Sequence, residues 1–127
     1  MIQNGTFLKV VDNSGAKIAF CIKVKAGPNR KYAYMRDSVF VSIKELRSKR
    51  RLTSKVKKGA TLKALILHTR SKFKTLVGET FNFFSNNAVL LNRQNKLVGS
   101  RILSAVPKKF RFTKFLKLAS LSFGFID

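Results

Sequence analysis

Acidic residues are scarce in this sequence: five Asp and Glu stand against 27 Lys and Arg, for a formal net charge of +22. Metal-assisted or acid/base chemistry needs carboxylates in neighbouring pairs. Asp12, Asp37, Glu45, Glu79 and Asp127 are scattered instead, which argues against a nuclease or any other enzyme and leaves no expected metal site. The single Cys, Cys21, excludes an internal disulfide and a Cys-rich zinc site. Set among apolar neighbours, it reads as a small core residue. The single His, His68, lies in a strand-like run with no carboxylate to orient it as a base. No Gly-rich phosphate loop is present, because "KKGATLK" has its Lys and Gly in the wrong order. Apolar runs such as "ALIL" and "AVLL" fall far short of the roughly 20 residues of a membrane span. The opening "MIQNGTFLKV" lacks a basic, apolar or Arg-rich leader, so the expectation is a chain made where it works, without cofactor.

What is present is enough to fold. Hydrophobic residues make up 45% and twelve are Phe, well above disordered compositions. With 127 residues the chain suits a single domain over 1–127. A chain of that size buries roughly 65 to 70% of its unfolded surface. A surface of such charge repels itself, and a polyanion relieves the repulsion. Nucleic acid fits better than a membrane, which favours a basic amphipathic helix or polybasic tail; here the bases run from Lys9 to Lys117 among apolar segments.

The order of elements follows from periodicity. "TFLKVVD" alternates and stops at "DNSG", where Asp12, Asn13 and Gly15 suit a tight turn. "KIAFCIKVK" alternates Ile18, Phe20, Ile22 and Val24 on one face with Ala19, Cys21, Lys23 and Lys25 on the other, the pattern of a strand with one buried face. "SVFVSIKEL" sets Val39, Val41 and Ile43 opposite Phe40, Ser42 and Lys44. "TLKALILHT" is continuous enough for a central strand, and "ETFNFFSNNAVLLN" gives two short strands around "SNN". From about 107 to 122 the period changes. Phe112, Phe115, Leu116 and Ala119 form a helical stripe with Lys114 and Lys117 turned away, between Pro107 and Gly124. Strands at short intervals with turns between them point to an all-β, small antiparallel barrel with a small α part, and closure removes exposed edges.

The bases cluster. "RSKRRLTSKVKKG" from Arg47 to Gly59 has no acid, and "NRKYAYMR" (29–36), "TRSKFK" (69–74) and "PKKFRFTKFLK" (107–117) accompany it. Patches on several sides suit a protein embedded in a large folded RNA, held by phosphate contacts and recognised by shape. Phe81, Phe83 and Phe84 could stack bases, but the stacking signature of RNA-recognition sheets is missing, and core packing is the favoured reading for them.

"MIQNGTFLKVVDNSGAKIAFCIKV" at the start, "ALIL" at Ala64 to Leu67 followed by Gly78, Phe83, Asn86, Val89 and Leu90, and "RKYA", "IKE", "VKKG", "GSRI" and "KFLKLASL" share one resemblance. In order and over the whole length, the chain resembles the universal large-subunit ribosomal protein family numbered fourteen, in its bacterial and organellar form. It departs from that pattern at Val77 and at Lys108-Lys109-Phe110. Its basic middle stretch is longer, and Arg36-Asp37 replaces a Gly-Asp pair, a change that works against a positive-φ turn.

The resemblance implies a five-stranded barrel with a projecting basic β-hairpin and short C-terminal helices. It also implies a structural role in the large subunit near the subunit interface. Implied partners are large-subunit rRNA, small-subunit rRNA at an intersubunit bridge, ribosomal proteins of the families numbered three and nineteen, and a ribosome-silencing factor at Ser100, Arg101 and Lys117. The expected rRNA contacts are Arg47, Lys49, Arg50, Arg51, Lys55, Lys57 and Lys58 in the middle stretch, with Lys17, Arg30, Lys31, Lys44, Arg70, Lys72, Lys74, Lys108, Lys109, Arg111 and Lys114 around it. A free RNA-binding regulator of the same fold is the alternative. Twelve Phe without a Trp fit an AT-rich gene. The expectation is therefore a mitochondrial ribosome with an organelle-encoded protein, the alternatives being a plastid or the bacterial cytoplasm.

Overall fold

A computed structural model describes residues 1–25, 27–48, 52–75, 77–112 and 115–126. Five strands close into a barrel in the order β1 (Phe7–Val10), β2 (Ala16–Val24), β3 (Ser38–Leu46), β4 (Thr61–His68) and β7 (Asn87–Leu91). β5 (Phe73–Lys74) and β6 (Thr80–Phe81) form a small separate hairpin between β4 and β7. The chain ends in β8 (Val106–Pro107), a 3-10 helix (Lys108–Phe112), α1 (Leu116–Ser120) and β9 (Phe125–Ile126), with β9 parallel to β8.

The expectation of an antiparallel barrel needs correcting at one seam. β1 pairs antiparallel with β2, and so on round to β7, but β7 closes the ring against β1 in parallel, with Lys9 opposite Asn87 and Val10 opposite Ala88. The cause is arithmetic: an odd number of strands cannot alternate direction all the way round a closed ring.

The core is filled as the pleat requires. Val39, Val41 and Ile43 of β3 point inward and are fully buried. β4 and β7 are buried on both faces, which explains their continuous apolar runs. Ala64, Ile66, Ala88 and Leu90 face the barrel interior, whereas Leu65, Leu67, Val89 and Leu91 join a second cluster with Ile102, Val106, Phe110 and Leu118 from the C-terminal segment.

In β2 the buried face is the one that carries Cys21, the expected core residue. Ala19 and Cys21 are the buried residues, while Ile18 and Phe20 are half-buried and Ile22 is exposed. Register shifts near Ile18 and between Cys21 and Lys23 break the two-residue period, so that Ala16 and Val24 point inward as well. A five-stranded barrel is narrow, and small residues fill it where the strand coils most tightly. Burial also raises the pKa of the Cys21 thiol, consistent with a packing residue.

The C-terminal stripe also differs from its expected form. α1 has only five residues, and its buried members are Leu118 and Ala119, with Leu116 exposed. Phe115 packs partly on the second cluster, and the side chains of Phe112 and Lys114 lie outside the described residues. A 3-10 segment winds more tightly than an α-helix, so a single 3.6-residue stripe does not persist across the two.

The basic middle stretch does not form a projecting hairpin in its described part. Pairing between β3 and β4 ends with the Ile43 amide on the Ala60 carbonyl and the Gly59 amide on the Ile43 carbonyl. Beyond it the chain turns back onto the barrel end: the Arg47 amide donates to the Gly15 carbonyl, the Lys55 amide to the Ser14 carbonyl, and Val56 is buried in the core.

Both segments dock on the "DNSG" turn. Asp12 is buried there, and its carboxylate accepts from the Ser14 amide (3.0 Å), the Ser14 hydroxyl and the Leu90 amide (2.9 Å). Gly15 turns the chain at φ 98°. Gly99 passes so close that a Cβ there would stand 2.8 Å from the Asp12 Cβ.

The turn that Arg36 works against forms nonetheless. Arg36 adopts φ 75°, held by its own amide on the Ile66 carbonyl and by the Asp37 carboxylate, which accepts from the Tyr34 amide. The left-handed region costs a side-chain-bearing residue about 1–2 kcal/mol. Arg36→Gly should therefore raise stability by about 0.5–1 kcal/mol in urea unfolding, since part of that gain is returned as glycine's extra chain entropy. Asp12→Ala, which strands the buried Leu90 and Ser14 amides, should lower it by about 3 kcal/mol in the same measurement.

Candidate nucleic-acid interface

Short strands and turns bring together cations that are distant in sequence. A hollow of about 920 Å³ is lined by Lys9 of β1, Lys17 of β2, Lys44 and Glu45 of β3, and Arg47, Ser48 and Lys58 of the middle stretch. Lys9 stands beside Ile18 in the β1–β2 ladder, and Lys17 makes an exposed ion pair with Glu45 at 3.2 Å. Lys44 lies over the outward Phe20 ring at 5.1 Å, which holds its ammonium at the rim. Arg47 also helps fasten the barrel end, since its guanidinium donates to the Val10 carbonyl at 3.1 Å.

Of the residues expected to touch RNA, Lys17, Lys44, Arg47 and Lys58 thus share one groove. Lys49, Arg50, Arg51 and Lys114 lie outside the described residues. Lys57 is exposed, and Lys55 turns aside to donate to the Val98 carbonyl at 3.3 Å. Arg30 and Lys31 line a separate hollow with Lys23 and Tyr32. Lys72 and Lys74 lie beside and on the β5–β6 hairpin, joined by Lys109, whose ammonium sits 5.3 Å from the Phe73 ring centroid. Arg111 stacks near Phe125 at 4.6 Å, Lys108 is exposed, and Arg70 follows β4 with its amide bonded to the Asn86 side chain.

Sequence reasoning missed Lys9, although alternation in "TFLKV" turns Phe7 and Lys9 outward once Leu8 and Val10 are taken as core. It missed Lys63 as well, which donates to the Asn95 side chain. Its pKa is lowered by desolvation first and by the neighbouring Lys25 ammonium second.

Lys117 lines a cleft of about 320 Å³ with Gly99, Phe115 and Leu118, and Ser100 and Arg101 follow Gly99 in the adjoining loop. Asn13 fixes this loop: its side-chain oxygen accepts from the Ser100 (2.7 Å) and Arg101 (3.2 Å) amides, and its side-chain amide donates to the Ser100 hydroxyl.

His68 is structural. One ring nitrogen bonds the Ala105 carbonyl at 2.8 Å and the other bonds the Asn87 side-chain amide at 2.8 Å, with Phe83 stacked at 4.1 Å. A neutral imidazole satisfies both bonds, donating from Nε2 to the carbonyl and accepting at Nδ1. The core-packing expectation therefore holds in part for the aromatics: Phe81 and Phe83 are half-buried, but Phe84 is fully exposed. Among the described residues no group of three or more metal-ligating side chains gathers, and no helix is long and apolar enough to cross a membrane.

Fold and groove define the class, a small, strongly basic β-barrel that gathers cations from several strands into hollows. The family model for ribosomal protein L14p/L23e matches residues 1–126. The large ribosomal subunit protein uL14 of Carsonella ruddii (strain PV) is 40% identical over 122 residues, covering 96% of this chain and 97% of that protein. The chain belongs to the ribosomal protein L14p/L23e family. Its role is structural, in the large ribosomal subunit among rRNA and other ribosomal proteins, and the family is not one of enzymes.

Burial lowers the His68 pKa below its ordinary 6.5, partly offset by the bond to Ala105. A depressed His pKa means that the unfolded chain takes up protons first as pH falls, so stability is full above 6.5 and declines below it. Urea unfolding in high salt should show a lower midpoint at pH 5.5 than at 7.5, while carboxylates remain ionised. His68→Gln should flatten that slope.

Proposed function

We infer that the groove formed by Lys9, Lys17, Lys44, Arg47 and Lys58 grips the phosphate backbone of large-subunit rRNA. The observation that carries the reading is convergence: five cations from three strands and a loop line one concavity, and a concave cationic surface focuses field and concentrates a polyanion. Arg30 and Lys31 on one side, and Arg70, Lys72, Lys74, Lys108, Lys109 and Arg111 on another, extend the contact as the protein is enclosed by folded RNA. Lys49, Arg50, Arg51, Lys55, Lys57 and Lys114 belong to the same proposed set by their charge and position in the sequence. Phosphate contacts fix register, and the contour of the single barrel domain supplies selectivity.

The family resemblance supports finer assignments. In this reading the protein sits near the subunit interface, contributes to a bridge with small-subunit rRNA, and neighbours ribosomal proteins of the families numbered three and nineteen. The Ser100, Arg101 and Lys117 surface takes a protein partner such as a ribosome-silencing factor; the Asn13 bonds that fix its loop support a preformed docking site. Composition favours a mitochondrial ribosome, and the bacterial relative suits the alternative of a bacterial cytoplasm.

Replacing Lys9, Lys17, Lys44 and Lys58 together by Ala should reduce incorporation into large subunits in competition with the unaltered chain. It should also flatten the dependence of log K on log salt by about 3 units, at roughly 0.7–0.9 per phosphate contact. Sucrose-gradient sedimentation and filter binding check the two outcomes, and unchanged values in both would sink the assignment.

A further inference from the structure

Phe84 is fully exposed, and Phe7 nearby is more than half exposed. An exposed ring on a soluble surface is ordinary when it stands alone, but this one is held in place. On one side of it Phe83 stacks on the buried His68. On the other, the Asn86 side chain accepts the Arg70 amide at 2.9 Å and the Asn86 carbonyl accepts the Lys9 amide at 2.9 Å. Between them Ser85 donates to the Asn87 side chain. The loop thus presents Phe84 from a fixed backbone.

Phe84 and Phe7 line a cleft of about 370 Å³ together with Ile18, Lys9, Lys17 and Arg70. That volume lies within the roughly 300–1,000 Å³ typical of sites for small molecules. No acid lines it. Lys9 and Lys17 line the basic groove as well, so the aromatic cleft opens from the end of the proposed phosphate track.

We propose that the Phe7–Phe84 cleft captures one unpaired nucleotide of the RNA that lies in the basic groove, its base against the Phe84 and Phe7 rings and its phosphate on Lys9, Lys17 and Arg70. This rests on the reading of the groove as an RNA site and adds to it a point where the protein distinguishes an unpaired base from a continuous helix. Aromatic faces accept any base, so the cleft selects for an unstacked nucleotide and not for sequence. The cationic rim favours a nucleotide over the apolar side chain of a neighbouring protein, which would leave Lys9 and Arg70 facing it without a counter-charge.

The test uses the full chain and two RNA hairpins of equal length, one carrying a single bulged 2-aminopurine and the other fully paired. The bulged hairpin should bind more tightly, with its fluorescence quenched. Phe84→Ala should weaken that complex about 5- to 150-fold while leaving the paired hairpin unchanged, and Phe84→Trp should restore it. A side chain so exposed can be removed without loss of fold, which an unchanged unfolding midpoint verifies. Equal effects of Phe84→Ala on both hairpins, or none on either, would overturn the proposal while leaving the groove intact. Binding of neither hairpin, with the four-Lys variant indistinguishable from the unaltered chain, would overturn the groove reading with it. In assembled subunits, a photoreactive phenylalanine analogue at position 84 should crosslink to rRNA; a crosslink to a protein instead would assign the cleft to a protein neighbour.

Discussion

The buried carboxylate of Asp12 is the constraint on which the barrel end depends. A carboxyl group that is only 1% exposed is accommodated there because two amides and a hydroxyl donate to its oxygens. By accepting from Leu90 it ties the turn after β1 to β7, alongside the parallel seam that closes the ring. The same four-residue turn supplies the carbonyls on which Arg47 and Lys55 dock and, through Asn13, the anchor of the Ser100–Arg101 loop. One solvated acid at this position would loosen the closure, the basic stretch and the proposed protein-docking loop together.

Division of the core into two clusters explains where the cations are free to act. The C-terminal segment covers the outer face of β4 and β7, and the energetic return is the burial of Leu65, Leu67, Val89 and Leu91, at roughly 25 cal/mol for each Å² of apolar surface. Among the described residues no such cover lies on the outer faces of β1, β2 and β3. Their outward residues include Phe7, Lys9, Lys17, Phe20, Ile22, Lys23, Phe40, Lys44 and Glu45, a mixture of apolar and charged groups in which long Lys stems lie along apolar surface and their heads reach water. The covered side of the barrel is a support, and the uncovered side is a working surface.

This arrangement also reconciles the charge with a stable fold. Like charges spread over a small surface oppose compaction, so the positive charge is tolerated where stem packing and ring contacts offset part of the repulsion. Lys25 lies over Phe40, Lys44 over Phe20, Lys109 over Phe73 and Arg111 over Phe125. Such contacts leave the charge intact for an external anion, whereas pairing with acids would neutralise it. The cations in these contacts keep their charge and are stabilised by neutral partners.

The amino-acid sequence by itself determined the class of fold, the two-residue alternation of β1, β2 and β3, the continuous apolar run of a central β4, the core place of Cys21, the turn at Asp12–Gly15, and the large excess of positive charge. These are local periodicities and net charge, which survive without coordinates. Tertiary structure decided the rest, because the deciding quantity in each case is a relation between distant segments. Ring closure with five strands imposed the parallel seam. Register shifts placed Ala19 and Cys21 inside a narrow barrel and left Ile22 out. A hydrogen bond to Ile66 helped hold Arg36 in a left-handed turn that its side chain disfavours. Lys9, Lys17, Lys44 and Lys58 became one groove because strand pairing and the return of the middle stretch bring them to the same end of the barrel, a convergence that no linear spacing records.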